Sequence, residues 1–477
     1  MLKRRHALTV ALAAGLSVPV LAQPIPASIV LKVGDPIGND GGIVTGVGQP
    51  YVNGQNKVGF VVLFSPPTIG RAIWYDGDMV FENFSAPDTP TGSEDTMGVS
   101  DAGDWIYSPS VSVDGVNRDS VYTNFGVLQK AGDPLPNNPG FFSTFNSRPR
   151  MADDGTAFWI GGYGPASSTT HRAMFRNPNP ADPSQTTIVY GTGDIIDGFP
   201  LSSSGVSFNY DISPNGLHTI AVVTLQTGST ANDSAVVLDG ATIVAQEGSP
   251  SGDGDNWQNF GAVGINNSGN WVLAGDTNAA TASDGFLVYN GQIAVREGQT
   301  LAGVVLSGNP SAVSIDNNNR VLFSWNPTAT ETVFLAQAPD IAGTARVLLR
   351  VGDAVDVDND GVADYTILDF NASYSLSNAF DLGDFGPIYL NVDMEPVGGG
   401  DDFEAIIAIE PGLPPCPADW DGSGTVNSTD ISAFLTAWLD SLNNGDLNAD
   451  FDGSGQVNST DISAFLTAWL QAVEGGC

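Results

Sequence analysis

The sequence predicts a mainly β protein, a seven-bladed β-propeller followed by a small α-helical module. Three observations lead to this prediction. The 477 residues include 57 Gly and 30 Pro, which favours many short strands joined by turns. A strand-and-turn motif recurs about every 50 residues along most of the chain, and a 21-residue segment is duplicated near its end. Hydrophobic residues make up 42% of the chain, which is enough to build a buried core.

The charge balance excludes one class of function. Acidic residues outnumber basic residues 53 to 16, which gives a formal net charge of −37. A surface this negative repels nucleic acids and anionic lipids and attracts cations. We therefore expect no nucleic-acid partner.

The first 22 residues are predicted to be a secretory signal peptide. Lys3, Arg4 and Arg5 precede an apolar run from Ala7 to Leu21, and small residues end the segment. The run is too short for a good membrane span, although an uncleaved anchor is the alternative. No other stretch approaches 18 consecutive apolar residues. We therefore expect a secreted or cell-surface protein whose mature chain has no membrane span.

Residues 25–411 are predicted to form the propeller. The recurring motif is VLKVGDP at 30–36, and its seven copies contain a glycine or a stand-in at Gly34, Ser85, Gly132, Gly193, Gly248, Gly298 and Gly352. Each copy is followed by a turn rich in Asn, Asp and Gly and then by another β-rich run. A unit therefore holds about four short strands, which is the size of one propeller blade.

The two ends of this region are predicted to pair and close the ring. Residues 30–34 have no strand before them to pair with, and residues 403–410 have none after them. Pairing them removes two exposed sheet edges. An eight-bladed ring and an open β-solenoid are the alternatives. The motif pattern resembles a family of secreted bacterial propeller-like repeat proteins, and that resemblance implies the fold without any particular activity.

Residues 412–477 contain two nearly identical units, each a loop followed by a helix. The segments at 419–439 and 450–470 agree at 19 of 21 positions. In each loop, oxygen-bearing side chains alternate around a glycine, as a hard cation with six or seven ligands requires. No nitrogen or sulfur ligand competes, so calcium is favoured. The predicted ligands are Asp419, Asp421, Ser423, Thr425, Asn427 and Asp430 for one ion and Asp450, Asp452, Ser454, Gln456, Asn458 and Asp461 for the other.

The segment after each loop has the pattern of an amphipathic helix. The first helix carries one apolar stripe, which the second repeats: Ile431, Phe434, Leu435, Trp438 and Leu439. Asn427 and Asn458 are natural N-caps for the two helices. Serine at loop position 5 leaves three carboxylates in each loop, which weakens calcium binding relative to a loop with four. A metal-free pair of Asx turns is the alternative.

The only two cysteines, Cys416 and Cys477, bracket this module. In an oxidising compartment, that placement predicts a disulfide bond between them. Lipidation of the terminal cysteine is a weaker alternative, because the preceding residues fit no prenylation motif.

The module resembles a dockerin of the variant that has a cysteine before the first loop and a terminal Gly-Cys. The resemblance implies calcium-dependent binding to a cohesin-like module through the start of each helix, at Ser428, Thr429, Ser459 and Thr460. It also implies two binding orientations, because the two copies are nearly identical. Another surface scaffold protein is the alternative partner.

A third acidic loop lies within the propeller region. Asp356, Asp358, Asp360 and Asp364 surround a glycine with the spacing of a calcium loop, but position 12 carries no ligand. A third calcium ion and a plain acidic turn are both open interpretations.

We therefore predict an exported, non-catalytic binding protein, anchored through its dockerin-like module, whose propeller presents a surface for a ligand such as a polysaccharide. The main alternative is an extracellular polysaccharide-degrading glycoside hydrolase, tethered by the same module to a cellulosome-like assembly. A purely structural spacer is the third alternative. No motif singles out a catalytic residue, and we predict none. Two carboxylates about 5–10 Å apart in an aromatic-lined axial pocket would favour hydrolysis.

Overall fold

The structure is a computed structural model of the whole chain. It describes residues 24–38, 41–65, 70–82, 96–113, 116–136, 138–144, 148–165, 169–326, 330–371, 380–384, 386–410, 418, 420, 426–444, 449, 451 and 456–475. The predicted signal peptide lies outside the described residues. Within the described ranges, no helix is both long enough and apolar enough to cross a membrane.

The first strands of the chain are β1 (Ile25–Pro26) and β2 (Ser28–Lys32), which join the last sheet described below. The first three blades follow in chain order. Blade 1 contains β3 (Pro36–Ile37), β4 (Gly42–Val47), β5 (Tyr51–Val52), β6 (Val58–Ser65), β7 (Gly70–Tyr75) and β8 (Asp78–Glu82). Blade 2 contains β9 (Met97–Val99), β10 (Trp105–Tyr107), β11 (Ser110–Val113), β12 (Val116–Thr123) and β13 (Gly126–Lys130). Blade 3 contains β14 (Phe141–Thr144), β15 (Arg150–Met151), β16 (Ala157–Gly164), β17 (His171–Asn177) and β18 (Thr187–Gly191).

Three further blades complete the regular part of the ring. Blade 4 contains β19 (Ile195–Ile196), β20 (Phe199–Ile212), β21 (Thr219–Leu225), β22 (Ser234–Leu238) and β23 (Thr242–Gln246). Blade 5 contains β24 (Trp257–Ile265), β25 (Trp271–Thr277), β26 (Gly285–Tyr289) and β27 (Gln292–Arg296), and a separate hairpin follows with β28 (Thr300–Leu301) and β29 (Val304–Val305). Blade 6 contains β30 (Ala312–Ile315), β31 (Arg320–Trp325), β32 (Thr332–Gln337) and β33 (Arg346–Arg350), with a short helix α1 (Ile341–Thr344) before its last strand.

The two ends of the propeller region meet in one larger sheet, which we call the closing sheet. It combines β1 and β2 with β34 (Ala354–Asp356), β35 (Tyr365–Phe370), β36 (Phe380–Leu382), β37 (Ile388–Pro396) and β38 (Phe403–Ile409). Strand β2 runs antiparallel to β38, with Ser28 opposite Ala408, so the predicted ring closure is confirmed. Strand β1 runs parallel to β34.

The propeller has six blades, and the prediction of seven was wrong. Each of the six blades is built from one continuous stretch of chain. The stretch that was expected to form an equivalent seventh blade instead forms the seven-stranded closing sheet with the other end of the chain, including one parallel pairing. The mainly β propeller fold itself is confirmed.

The recurring glycine of the sequence motif serves one local geometry. It follows the edge strand of a sheet, β2 before Gly34 and β33 before Gly352. Its φ is positive, +96° at Gly34 and +91° at Gly352, a backbone conformation that favours glycine. The N–H of Gly34 donates to the carbonyl of Val44, and that of Gly352 donates to the carbonyl of Ile367. The motif therefore ties the end of one strand to a strand of the next sheet.

The Asn- and Asp-rich turns form hydrogen bonds from one blade to the next. The N–H of Asn215 donates to Oδ1 of Asn267 at 2.7 Å, and the N–H of Asn267 donates to Oδ1 of Asn317 at 2.8 Å. The N–H of Asn317 then donates to Oδ1 of Asp384 in the closing sheet at 2.8 Å. These turns were predicted as hairpin connections, and they also brace neighbouring blades around the axis.

The hydrophobic core lies between successive sheets. Middle strands such as β31 are buried along their whole length because a neighbouring sheet covers each face. One cluster joins blade 6 to the closing sheet through Leu322 and Ile407, and another joins the closing sheet to blade 1 through Ile406 and Phe60. The packing therefore continues across the junction of the two chain ends.

Helices α2 (Ser428–Asn444) and α3 (Ser459–Gly475) form the C-terminal module. Each begins directly after an asparagine whose side-chain Oδ1 accepts a hydrogen bond from the helix, as predicted for an N-cap. The N–H of Thr429 donates to Asn427, and that of Thr460 donates to Asn458, both at 2.8 Å.

Candidate functional site

The two helices of the C-terminal module pack through equivalent aromatic side chains. Phe434 and Phe465 are fully buried and stack at 4.2 Å between ring centroids, with their planes 8° apart. Trp420 packs edge-on against Phe434 at 4.9 Å, and Phe451 packs edge-on against Phe465 at 5.5 Å. The duplicated sequence therefore produces a nearly symmetric pair, with the stacked phenylalanines at its centre.

Each helix also holds the loop of the other unit. The indole Nε1–H of Trp438 donates to the carbonyl of Asn458 at 2.8 Å, and that of Trp469 donates to the carbonyl of Asn427 at 2.9 Å. Asn427 and Asn458 occupy position 9 of the two predicted calcium loops. Each loop is therefore held in place by a side chain of the other unit.

The position-12 carboxylates, Asp430 and Asp461, are fully buried. Oδ2 of Asp430 accepts the N–H of Asn427 at 2.8 Å, and Oδ2 of Asp461 accepts the N–H of Asn458 at 2.7 Å. Burying an ionised carboxylate is costly unless a charge or several hydrogen bonds compensate it. A cation bound in each loop would offset the cost of burying these two charges.

The segment around these carboxylates contains no positive charge. Residues 412–477 include nine Asp or Glu and no Lys, Arg or His. The segment therefore supplies carboxylate, hydroxyl and amide oxygens without a basic side chain, and an oxygen-only donor set is what calcium prefers. The residues present fit a calcium ion in each loop.

The described residues include only part of each predicted calcium site. Asn427, Asp430, Gln456, Asn458 and Asp461 are described, and each Asp lies next to the Asn of its own loop. The remaining predicted ligands and the predicted disulfide lie outside the described residues: Asp419, Asp421, Ser423, Thr425, Asp450, Asp452, Ser454, Cys416 and Cys477. The predicted contact residues are all exposed: Ser428, Thr429, Ser459 and Thr460.

Residues 417–465 match the family model described as the dockerin type I domain. The C-terminal segment is a type I dockerin domain. Dockerin domains bind calcium, and they imply attachment to a cohesin-type scaffold. No match is found among curated proteins.

Two solved structures are similar to this chain at low sequence identity. The "Structure of Dos1 propeller" is similar with a TM-score of 0.35 and 10% identity, covering 79% of this chain and 85% of the other. Prolyl oligopeptidase B from Galerina marginata, in its apo form, is similar with a TM-score of 0.39 and 12% identity, covering 77% of this chain and 52% of the other. The assignment of the fold rests on the sheet topology given above.

The acidic loop at 356–364 gathers three of its four predicted ligands. One carboxylate oxygen from each of Asp356, Asp358 and Asp364 lies within 4.8 Å of the others. Asp356 is only 3% exposed; its Oδ2 accepts the N–H of Gly361 at 2.8 Å, and its Oδ1 has no hydrogen-bond partner among the described residues. Asp360 is outside this group, and its Oδ1 accepts the N–H of Val362 at 2.8 Å.

A second group of charged residues surrounds the axis of the ring. Asp211 of blade 4 accepts a hydrogen bond from Nε of Arg150 of blade 3 at 3.3 Å. Asp381 of the closing sheet accepts the N–H of Val52 at 2.9 Å and the hydroxyl of Ser314 at 3.0 Å. Each carboxylate therefore joins different sheets, and both line the same axial cavity.

The axial carboxylates are hard to ionise. Burial, with a smaller contribution from the charge of Asp211, raises the pKa of Asp381 to about 6 against the opposing effects of the Val52 N–H and Arg150. Burial also raises the pKa of Asp211, although Arg150 and Arg148 lower it. Raised carboxylate pKa values in a cavity are typical of functional sites, which makes the axis a candidate site. Structural networks of charged groups also produce such shifts.

The sequence does not predict this axial group. Its members come from different sheets and are separated by tens to hundreds of residues, so no local motif contains them. One local signal was available, because Arg148 and Arg150 flank Pro149 at a spacing that places two side chains on one face of an extended strand. Arg320 of blade 6 is buried against Asp316, with Nε and Oδ2 2.7 Å apart.

We predict that Asp381→Asn makes stability less sensitive to pH. Because the pKa of Asp381 is raised in the folded state, the folded protein holds this proton more tightly than the unfolded chain, and stability falls as pH rises from about 4 to about 6. The asparagine keeps an acceptor for Val52 and a donor for Ser314, and it removes a penalty on the order of 2 kcal/mol above pH 6.

The measurement is the melting temperature of both proteins between pH 4 and pH 8. The advantage of Asp381→Asn over the parent is expected to grow up to about pH 6 and then stay constant. Asp402→Asn, on an exposed turn, is the control and should follow the parent. An advantage that does not change with pH would contradict the assignment.

Proposed function

We propose that this is an exported, non-catalytic binding protein, attached to a cohesin-type scaffold by its calcium-loaded dockerin domain. The propeller presents a ligand-binding surface outside the cell. The observation that carries the proposal is the pair of fully buried carboxylates, Asp430 and Asp461, in a segment that has no basic residue. A divalent cation in each loop compensates these charges and couples docking to calcium.

The calcium ligands proposed for each loop are the oxygen-bearing residues at alternating loop positions, twelve in all. In the first loop, Asp419, Asp421, Ser423, Thr425, Asn427 and Asp430 surround the ion. In the second loop, Asp450, Asp452, Ser454, Gln456, Asn458 and Asp461 surround it. The reciprocal bonds from Trp438 and Trp469 support this arrangement, because each fixes position 9 of the opposite loop.

The proposed docking face combines the start of each helix with exposed leucines. Leu435 and Leu439 are 36% and 55% exposed on α2, and helical geometry places them on the same side as Ser428. Leu466 and Leu470 repeat this on α3, with exposures of 36% and 53%. An apolar patch beside polar hydroxyls on each helix supports two equivalent binding orientations.

The loop at 356–364 is proposed to bind a third calcium ion. Its support is the cluster of Asp356, Asp358 and Asp364, together with the buried Oδ1 of Asp356, which accepts no hydrogen bond from the part of the chain that the structure describes. Because Asp360 points into its own turn, we assign it no ligand role. The ion stabilises the closing sheet, since Asp356 ends β34.

Secretion and the disulfide bond complete the proposal. The signal peptide at residues 1–22 directs export, and the bond between Cys416 and Cys477 closes the dockerin domain after export. Both fit the oxidising environment in which a surface scaffold is found.

The hydrogen bonding at the axis favours binding over hydrolysis. A glycoside hydrolase needs one carboxylic acid to give a proton and one carboxylate to attack or to activate water. Asp211 and Asp381 accept hydrogen bonds from Arg150, Val52 and Ser314, so they are engaged in joining sheets. The raised pKa of Asp381 is the one observation that favours the hydrolase alternative.

We predict that docking tolerates damage to one helix and not to both. Thr429→Arg and Thr460→Arg each place a charge on one of two equivalent faces, so each single variant keeps most of its affinity for a cohesin module. The double variant is expected to lose about 100-fold or more, because neither orientation remains. The measurement is binding of the full mature chain to a panel of purified cohesin modules, with calcium and with a chelator.

The two single variants serve as controls for each other. Complete loss of binding in either one would contradict the two-orientation proposal. Unchanged binding by the double variant would show that the face is elsewhere, and binding that survives chelation would contradict calcium-dependent docking.

We further predict that Asp356→Asn removes one calcium ion from the full chain. The asparagine keeps an acceptor for the N–H of Gly361, so the turn is retained while one ligand charge is lost. The measurement is the number of ions bound in calorimetry, which should be one lower than in the parent and in the Asp402→Asn control. An unchanged ion count would contradict the third site.

A further inference from the structure

The connection between blade 6 and the closing sheet is a longer version of the connection that precedes blade 5. The N–H of Ile367 donates to the carbonyl of Asp353, as the N–H of Trp257 donates to the carbonyl of Ser249 before blade 5. The bonded residues lie 14 positions apart in the closing sheet and 8 positions apart in blade 5. The additional residues contribute the acidic loop at 356–364. The shorter connection is therefore an internal comparison for this loop.

Blade 5 compensates the carboxylates of its connection with an arginine. Nε of Arg296 donates to Asp253 at 2.8 Å, and Nη2 donates to Asp255 at 2.9 Å. Arg296 lies two positions before the motif glycine that follows the outer strand of its sheet, and Lys32 has the same position in the closing sheet. Nζ of Lys32 lies 4.9 Å from the ring centroid of Phe403. The longer connection therefore does not receive the ion pair that the shorter one has.

The three clustered carboxylates of the longer connection have no positive partner in the described ranges. No ion pair there involves Asp356, Asp358 or Asp364. One oxygen from each lies within 4.8 Å of the others, and like charges at such a distance repel. Asp356 is 3% exposed, and its Oδ1 accepts no hydrogen bond from the described chain. A bound cation would take the place that Arg296 has in blade 5.

Asp356 also holds the N-terminal strand of the ring through its backbone. Strand β1 has only two residues, which pair in parallel with Val355 and Asp356 of β34. The N–H of Ala27 donates to the backbone carbonyl of Asp356 at 2.9 Å. Ala27 is 6% exposed and belongs to the same hydrophobic cluster as Val355. The side chain of Asp356 therefore belongs to the proposed metal site, and its backbone belongs to the junction with the start of the ring.

Asp364 connects the same loop to the rest of the closing sheet. Its Oδ2 accepts the N–H of Val357 at 2.8 Å, and its own N–H donates to the carbonyl of Val355 at 2.9 Å. The carbonyl of Asp364 accepts the N–H of Val397, directly after β37, at 2.8 Å. An ion shared by Asp356 and Asp364 would therefore join the strand that pairs with β1 to the strands behind it.

We propose that the ion bound at 356–364 is a calcium-dependent clasp that completes ring closure. The pairing of β2 with β38 closes one side of the closing sheet, and the clasp holds β1 and Ala27 against β34 on the other. Without the ion, repulsion among the three carboxylates opens the loop, and a pairing of two residues is too short to persist alone. This inference rests on the proposed third calcium site and adds to it control over the N-terminal segment.

The ligands of the loop make the clasp respond to the calcium concentration outside the cell. Three carboxylates contribute, and position 12 is Ile367, which is buried in the core. We therefore expect a Kd in the range of extracellular calcium modules, about 0.1–1 mM. A site this weak stays empty at the concentrations that cytosolic sensors detect, about 0.1–10 μM. Closure by the clasp would therefore follow the proposed export.

The test is hydrogen exchange in the full mature chain and in its Asp356→Asn variant. The asparagine keeps an acceptor for the N–H of Gly361, so the turn is retained while one ligand charge is lost. In saturating calcium, exchange at the amides of Ala27 and Asp364 is expected to be about tenfold or more faster in the variant, with blade 4 and the dockerin helices unchanged. In the parent, exchange at Ala27 should slow as calcium rises through about 0.1–1 mM, and in the variant it should not respond.

Two further variants control for the loss of a carboxylate as such. Asp253→Asn removes one from the shorter connection, where Arg296 provides the compensation, and it should match the parent both in the number of ions bound and in exchange at Ala27. Asp358→Asn removes an exposed member of the cluster and is expected to accelerate exchange at Ala27 as Asp356→Asn does, which keeps the test available if Asp356→Asn does not fold.

The number of ions counted by calorimetry separates the clasp from the site on which it rests. One ion fewer in Asp356→Asn, with exchange at Ala27 as in the parent, would overturn the clasp and leave the third calcium site in place. An unchanged ion count would overturn both. Faster exchange at Ala27 in Asp253→Asn would also overturn the clasp, because the effect would then need no loss of an ion.

Discussion

The shortage of positive charge is the constraint on which this structure depends. With 53 acidic and 16 basic residues, most carboxylates have no basic partner available. One buried carboxylate, that of Asp316, pairs with Arg320 at 2.7 Å. Elsewhere a backbone N–H takes its place, as Val52 does for Asp381 at 2.9 Å. For the dockerin loops and the loop at 356–364, the proposed compensation is a metal ion.

The same constraint connects the fold to its two sites. Hydrogen bonds between the Asn- and Asp-rich turns hold the blades around the axis, and pairing of β2 with β38 fixes the two ends of the ring. Among its described residues, the dockerin domain has a small hydrophobic core centred on its stacked aromatic rings, which is why we propose that its stability depends on bound ions.

Local chemistry explains which features could be predicted from the sequence. The positive φ of Gly34 and its equivalents, the closing pair of strands and the duplicated loops are each encoded by neighbouring residues or by a repeat. The count of seven blades was wrong because the repeat does not show that the last stretch of the propeller region shares one seven-stranded sheet with β1 and β2. In that sheet β1 pairs in parallel with β34. The axial cavity could not be predicted, since Gln49, Arg148 and Asp381 become neighbours only after the ring has closed.

Hydrogen exchange in the helices of the dockerin domain tests the central claim most directly. The full mature chain is compared in calcium and in a chelator, with the amides of residues 428–444 and 459–475 followed separately from those of the blades. If bound ions compensate Asp430 and Asp461, chelation accelerates exchange in both helices by roughly tenfold or more and leaves the strands of blades 4 and 5 unchanged. Equal protection of the helices in both conditions would contradict the account.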